Sequence, residues 1–451
     1  MSLFAAGRRS AGLLLHPGSL PSGQLGRDVY RWLDFLEQAG FSVWQMLPLG
    51  VPLGGLSPYQ CASAFAVNPA LFPDATQSKR TTAGFDLWYA AQRHWVDDYA
   101  LFMVAKQQQG GARWVEWPQP LRLREASALI RFRQAHASII QAIVEQQYRV
   151  YLQWQTIRGY ATERGISLFG DMPIFVAHDS ADVWAHPERF LLDERGMPTL
   201  VAGVPPDYFS ITGQRWGNPH YNWAVMEAEG FRWWCERLHY HFEWFDLVRV
   251  DHFRGLAASW MIPAENETAI NGYWQSVPGD ALLQILQQEM GEIPLVAEDL
   301  GMITPDVTAL RKKYHLPGMA VLQFAFDEHV DNPHKPGNVG QDIVYYTGTH
   351  DNDTTLGWFT ALPADLQHEV MQQLGIADAG QVCDAMQAAV LASAAALAML
   401  PMQDVLRLGS EARLNTPGTV AGNWTWRLQW DAIDSALASG LLAELKKYGR
   451  I

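Results

Sequence analysis

The stretch FDLVRVDHFRG, residues 245–255, decides how the rest of this chain is read. Phe245, Leu247, Val248 and Val250 have the apolar, partly β-branched character of a buried strand. Asp246, Arg249 and Asp251 interrupt it. Side chains alternate along a strand, so Leu247, Arg249 and Asp251 share one face and Asp246 takes the other. An arginine and an aspartate side by side near the C-terminal end of a buried strand form either an internal ion pair or part of a site. Buried charge is costly without a partner, so both readings require compensating groups nearby.

Working outward, seven more apolar runs of the same kind occur, at 11–17, 41–49, 166–176, 293–299, 319–326, 342–351 and 397–405. Helix-like segments separate them. Residues 27–40 carry Val29, Trp32, Leu33 and Leu36 at helical spacing and end on Gly40, and residues 279–291 repeat the pattern. Strands alternating with helices predict a parallel sheet. Eight of them predict an α/β fold, a (β/α)8 TIM barrel, whose core takes about 250 residues. The rest of the 451 residues must then be insertions. A helical subdomain is expected at about 75–160, between strands two and three, where Ile139, Ile140, Ile143, Val144, Tyr151 and Trp154 keep helical spacing. A loop-rich aromatic insertion is expected at about 177–240, between strands three and four. No β domain is expected after residue 405, so 1–451 reads as a single barrel domain with two insertions.

Composition narrows the function classes. The net charge of −14 argues against nucleic acid and anionic membrane as partners, since both attract basic surfaces. Cys61, Cys235 and Cys383 are odd in number and far apart, which argues against a disulfide framework or a zinc ribbon. The apolar run before His16 and Pro17 is too short for a secretory signal, and that at 388–400 is too short to span a membrane. A cytoplasmic location is expected. There is no phosphate loop and no dinucleotide fingerprint, so no cofactor is implied. Many of the aromatic residues fall in Gly/Pro-rich segments such as GVPPDYFSITGQRWGNPHYNW, 203–223. A loop has little core to join, and Tyr and Trp there commonly form binding surfaces.

Barrel active sites lie at the C-terminal ends of the strands. Run three holds Asp171, run four ends in Asp251, run five in Glu298 and Asp299, and run seven in His350 and Asp351. A lone strand-end Asp is more often a helix cap or turn former. Acids from four strands at one rim, with Arg249 among them, favour a site. Metal-assisted hydrolysis would call for rim histidines at ligand spacing. The HYH pair, His239 and His241, precedes strand four and reads better as a solvated helix end. Glycosyl transfer calls for a nucleophilic carboxylate and a protonated acid/base partner. Alternation puts Asp251 and Glu298 on inward faces and turns Asp246 and Asp299 away.

Nine blocks then occur in an order that resembles the amylomaltase, or 4-α-glucanotransferase, family of the α-amylase clan. They are LLLHPGSLPS, WQMLPLG, SPYQ, DMPIFVAHDSADVW, GVPPDYFSITGQRWGNP, DLVRVDHFRG, VAEDLG, THDNDT and GSEARLNTPG. The resemblance implies a retaining transferase that moves α-1,4-glucan segments to glucose or to another glucan, without metal or cofactor. Asp251 matches the nucleophile, Glu298 the acid/base and Asp351 the carboxylate that stabilises the transition state. Arg249 matches the cation beside the nucleophile. Glu298 must stay protonated, and carboxylate neighbours are expected to raise its pKa. His350, Asp171 and Tyr59 match residues lining the sugar site, with Tyr59 as a stacking platform. Trp216 and Asn218 match residues of a loop over the cleft, while alternation turns His252 from the pocket. Leu56 and Ile211 depart from the family blocks in loops expected to touch glucan. An α-glucan hydrolase and a non-catalytic glucan-binding relative are the alternatives. The partners implied are maltooligosaccharides, amylose or glycogen-derived chains and glucose, with monomer or homodimer left open.

Overall fold

The computed structural model describes residues 4, 7–73, 82–206, 210–419 and 421–451. Eight parallel strands form one sheet: β1 (Ser10–Leu14), β2 (Val43–Gln45), β3 (Ser167–Pro173), β4 (Leu247–Asp251), β5 (Leu295–Ala297), β6 (Gly318–Val321), β7 (Ile343–Tyr346) and β8 (Leu397–Pro401). The order in space is β6-β7-β8-β1-β2-β3-β4-β5. The two ends of that row meet where the Ala297 N–H donates to the Pro317 carbonyl at 2.8 Å, which closes the barrel. All eight apolar runs of the sequence are barrel strands.

Alternation explains what each strand face does. Val43, Phe169, Leu247, Val296, Met319, Val344 and Leu397 point inward and fill the barrel interior as one cluster. Val248 and Val250 face outward into the larger core beneath the helices. β1 presents Gly12 where its neighbours present bulk; a Cβ there would lie 2.6 Å from Met399 Sδ and 2.7 Å from Val43 Cβ. The interior is therefore packed up to the level of Arg249, and the barrel is a plug beneath its rim.

The helix over Arg27–Ala39 buries Val29, Trp32, Leu33 and Leu36 and ends on Gly40 at φ 81°, where a left-handed backbone favours glycine. The helix over Gly279–Met290 buries Leu282, Leu283 and Leu286. One crossover departs from the ideal repeat: among the described residues, β6 leads to β7 through a 3-10 turn at Leu322–Phe324 and irregular chain, with no α-helix. Between β2 and β3 run helices at Thr82–Gln108, Gln119–Arg122, Ala126–Ala135 and Ala137–Glu163. The expected start of that insertion, near residue 75, lies outside the described residues.

The segment between β3 and β4 holds more than loops. Leu200–Val204 and Gln214–Pro219 pair there as antiparallel strands, and Ala258–Pro263 and Tyr273–Ser276, from after β4, complete a four-stranded sheet. This sheet carries the aromatic segment 203–223 beside the rim; residues 207–209 of that segment lie outside the described ones.

Candidate active site

The site is built upward from β4. Arg249 is 5% exposed and Asp171, on β3 directly across the register, is 1% exposed. The Arg249 Nη1 donates to both oxygens of Asp171, at 2.9 and 2.8 Å, and its Nη2 donates to Asp251 Oδ1 at 2.8 Å. One guanidinium thus ties a fully buried carboxylate to one that opens toward solvent, since the Asp251 side chain is 31% exposed. Burial pushes the Asp171 carboxyl up from its ordinary value, and the Arg249 charge opposes that shift. The same pairing drives the Arg249 guanidinium up.

The chain of contacts continues. The Tyr59 hydroxyl donates to Asp171 Oδ2 at 2.6 Å and meets His350 Nε2 at 2.9 Å. The Tyr59 and His350 rings lie nearly parallel, 5.3 Å apart at 12°. His350 Nε2 also lies 3.4 Å from Asp351 Oδ1. Asp351 is fixed from the other side: Asn415 Nδ2 donates to its Oδ1 at 2.6 Å, and Arg413 Nη2 donates to its backbone carbonyl at 2.7 Å. Asp251, Arg249, Asp171, Tyr59, His350 and Asp351 therefore form one connected network across β4, β3, the loop after β2, and the chain after β7.

Glu298, just past β5, is held differently. Backbone N–H groups of His252 and Leu300 donate to its two carboxyl oxygens, at 2.7 and 3.0 Å. Burial pushes its pKa up from 4.5 to about 7; the Asp251 charge adds to the shift, while Arg249 and the two backbone donors oppose it. The sequence reading assigned this rise to neighbouring carboxylates. Burial is the larger cause, and Asp251 is secondary.

Outside this network, Asp299 turns away and pairs with Arg311 at 3.0 Å, and Asp246 pairs with Arg158 at 2.9 Å. Alternation separated these two from the site correctly. Asn218 donates to the Val176 carbonyl and accepts from Gln60, which anchors the base of the aromatic segment. The Trp216 ring, two residues earlier in the chain, is edge-on to His252 at 4.8 Å. Leu56 and Ile211 are exposed at 56% and 87%. His239 and His241 lie within the helix Arg232–Trp244 and not at its end. His241 Nδ1 is bonded to the Arg237 carbonyl, and His239 faces Glu289 at 3.6 Å. Neither reaches the rim network.

Sequence reasoning did not single out Asn415, Arg413 or the two backbone donors to Glu298. Asn415 and Arg413 sit in the block GSEARLNTPG, which was their only signal. The His252 donor belongs to a residue that is not glycine and yet has a left-handed backbone, φ 56°. Its N–H meets Glu298 and its imidazole meets Trp216. Burial pushes the His252 imidazole down to about 4.

Known proteins fit this arrangement. A family model described as 4-alpha-glucanotransferase matches residues 14–74 and 71–433. The 4-alpha-glucanotransferase of Thermus thermophilus is 46% identical over 93% of this chain and 95% of its own length. That of Synechocystis sp. is 42% identical over 98% of each chain. An amylomaltase from Streptococcus agalactiae, solved in complex with acarbose, superposes with a TM-score of 0.94 at 31% identity, covering 98% of this chain and 100% of its own. Fold and relatives together define a barrel enzyme of the glycosyltransferase type. The chain belongs to the 4-alpha-glucanotransferase family. Its activity is 4-alpha-glucanotransfer, and these relatives do not favour the hydrolase alternative. No described helix is long and apolar enough to cross a membrane.

Proposed function

We propose that the chain transfers α-1,4-glucan segments by a retaining double displacement, with Asp251 as nucleophile, Glu298 as acid/base and Asp351 as the carboxylate that stabilises the transition state. Asp251 attacks the anomeric carbon of the donor and forms a glycosyl ester. Glu298 gives its proton to the departing 4-oxygen. Glu298, now ionised, takes the proton of an incoming 4-hydroxyl, whose oxygen attacks the anomeric carbon and frees Asp251. Two inversions give net retention.

The observation that carries this reading is the contrast between the two carboxyl groups. Asp251 opens to the cleft and accepts a charge-assisted hydrogen bond from the Arg249 guanidinium, which holds its carboxylate in place as a nucleophile. Glu298 is held near a pKa of 7 by burial, so that it can both give and take a proton near neutrality. Its two backbone donors support the carboxylate that forms after the first step.

Asp351 and His350 would grip sugar hydroxyls, Tyr59 would offer its ring face as a platform, and Arg249 and Asp171 would hold the floor. Trp216 and Asn218 would shape the acceptor side of the cleft. Substrates would be maltooligosaccharides or longer α-1,4-glucans with glucose as one acceptor, and a long chain could close on its own 4-hydroxyl into a ring. The three free cysteines suit a reducing cytoplasm. The two insertions read as parts of one catalytic domain, working as a monomer or homodimer.

Incubation with maltotriose tests the reading. Transfer gives glucose together with maltopentaose and longer chains. Glucose and maltose without longer chains would contradict it. Asp251→Ala should remove nearly all turnover, and activity within about tenfold of wild type, about 1.4 kcal/mol of barrier, would overturn the nucleophile assignment.

A further inference from the structure

The hydrogen-bond chain around Tyr59 fixes more than positions. Both oxygens of Asp171 accept from Arg249 Nη1, and pairing with that guanidinium charge opposes the upward push of burial and favours the carboxylate, which can only accept. Burial drives the Tyr59 hydroxyl well above its ordinary pKa, so it keeps its single proton. At 2.6 Å from Asp171 Oδ2, that proton must lie on the line to Asp171, because two oxygen lone pairs would otherwise face each other. The 2.9 Å contact between the Tyr59 oxygen and His350 Nε2 then needs a proton from the histidine. The geometry points to Tyr59 as a positioning residue whose hydroxyl, oriented by Asp171, fixes His350 as the Nε2–H tautomer and so makes its inward nitrogen a donor.

The far side of the ring agrees. With Nε2 protonated, a neutral His350 has a bare lone pair on Nδ1, which calls for a donor. His350 shares a cavity, between the ends of β1, β7 and β8, with His16, Ser19 and Thr349. In that region His16 Nδ1 and Ser19 Oγ are buried with no hydrogen-bond partner among the described residues. Burial pushes His16 down to about 3, so it is neutral and carries one N–H. Both groups can donate across the cavity, directly or through a water.

This has a consequence for the reaction that rests on the functional reading above. The Tyr59 hydroxyl has its proton and one lone pair committed, so it has no proton to give a sugar, and the ring is its contact surface. The His350 Nε2–H is committed to the Tyr59 oxygen, so a sugar hydroxyl placed beside Asp351 Oδ1, 3.4 Å from the same nitrogen, would take it as a second, shared acceptor. The hydroxyl and the ring of Tyr59 thus do separable work.

The test labels histidine with 15N and records long-range imidazole spectra of the substrate-free protein at alkaline pH, with His350→Gln identifying the resonances. Wild type should show His350 protonated at Nε2. Tyr59→Phe should give a mixture of tautomers. Asp171→Asn, which can turn an amide N–H toward Tyr59, should shift the population toward Nδ1–H. An Nδ1–H tautomer in wild type, or a Tyr59→Phe spectrum identical to wild type, would overturn the proposal. In turnover of maltotriose, Tyr59→Phe should lower kcat about ten- to a hundredfold, as expected for loss of one oriented donor, with KM within about twofold. A raised KM at unchanged kcat would mean that the hydroxyl only contacts sugar, and would overturn the positioning role. The tautomer is read without substrate, so an inactive wild type with the expected spectrum would overturn the functional reading and leave the relay standing.

Discussion

Replacing Glu298 by Gln should change how stability depends on pH, and in a stated direction. Glu298 has a pKa of about 7 in the folded protein against 4.5 as its ordinary value. Between those values the folded chain holds a proton that the unfolded chain has released. Stability falls with rising pH wherever the native state binds more protons. The contribution of Glu298 is therefore fully present below pH 4.5 and is lost as the pH rises through about 7. At about 1.4 kcal/mol per tenfold change in proton affinity, the full span is about 3 kcal/mol. The group borders the open cleft, and solvent screening reduces this to about 1–3 kcal/mol. Glutamine does not titrate. It also turns its NH2 toward one of the two backbone donors, from His252 or Leu300, which costs about 1–3 kcal/mol independently of pH. The pH-dependent part survives that offset. Chemical unfolding followed by fluorescence of the 19 tryptophans at pH 4.5, 6 and 8 reads it. The variant should gain about 1–3 kcal/mol relative to wild type between the lowest and highest pH. A difference that stays flat, or that favours wild type at high pH, would refute the argument. In wild-type kinetics the same proton should appear as an alkaline limb in kcat/KM near pH 7.

Arg249→Met should cost about 3–5 kcal/mol in chemical unfolding, because it leaves the Asp171 carboxylate, whose side chain is fully buried, without its cation. Asp171→Asn in that background should recover part of the loss, and a double variant less stable than the single one would contradict the pairing argument. Arg450, 2% exposed, donates to the carbonyls of Ser10, Val390, Leu391, Ser393 and Ala395 and clasps the chain end to the start of β1. Arg450→Met should therefore lower stability by about 2–4 kcal/mol, by leaving buried acceptors unpaired, with kcat unchanged in the folded protein. A lowered kcat at full stability would show instead that this clasp communicates with the rim.

The barrel was legible because each of its strands is a short apolar run that alternation and length distinguish from the helices around it. The acids were legible for a related reason: Asp251 and Glu298 follow directly on such runs, so period two settles their direction. The four-stranded sheet was not legible. Gln214–Pro219 reads QRWGNP, with a glycine, a proline and no alternation, and it is a strand only because Leu200–Val204 lies beside it. Asn415 and Arg413 reach Asp351 from 64 and 62 residues away, through a loop whose path no local pattern encodes. The donors to Glu298 are main-chain atoms and leave no mark in side-chain chemistry. The residue reading assigned Arg249 one partner, Asp251, and the structure gives it two. That difference turns an ion pair within one strand into a network reaching His350 and Asp351.

The account rests on a covalent bond to Asp251, and trapping that bond tests it most directly. A maltosyl fluoride needs no acid to leave, so Glu298→Gln should still form the glycosyl ester but should lack the base that activates an acceptor. The account predicts that the ester accumulates and that, after acid quench and proteolysis, the maltosyl mass is found on the peptide carrying Asp251. Label on a peptide carrying Asp351 instead, or turnover of the fluoride with no labelled protein at any time, would contradict it.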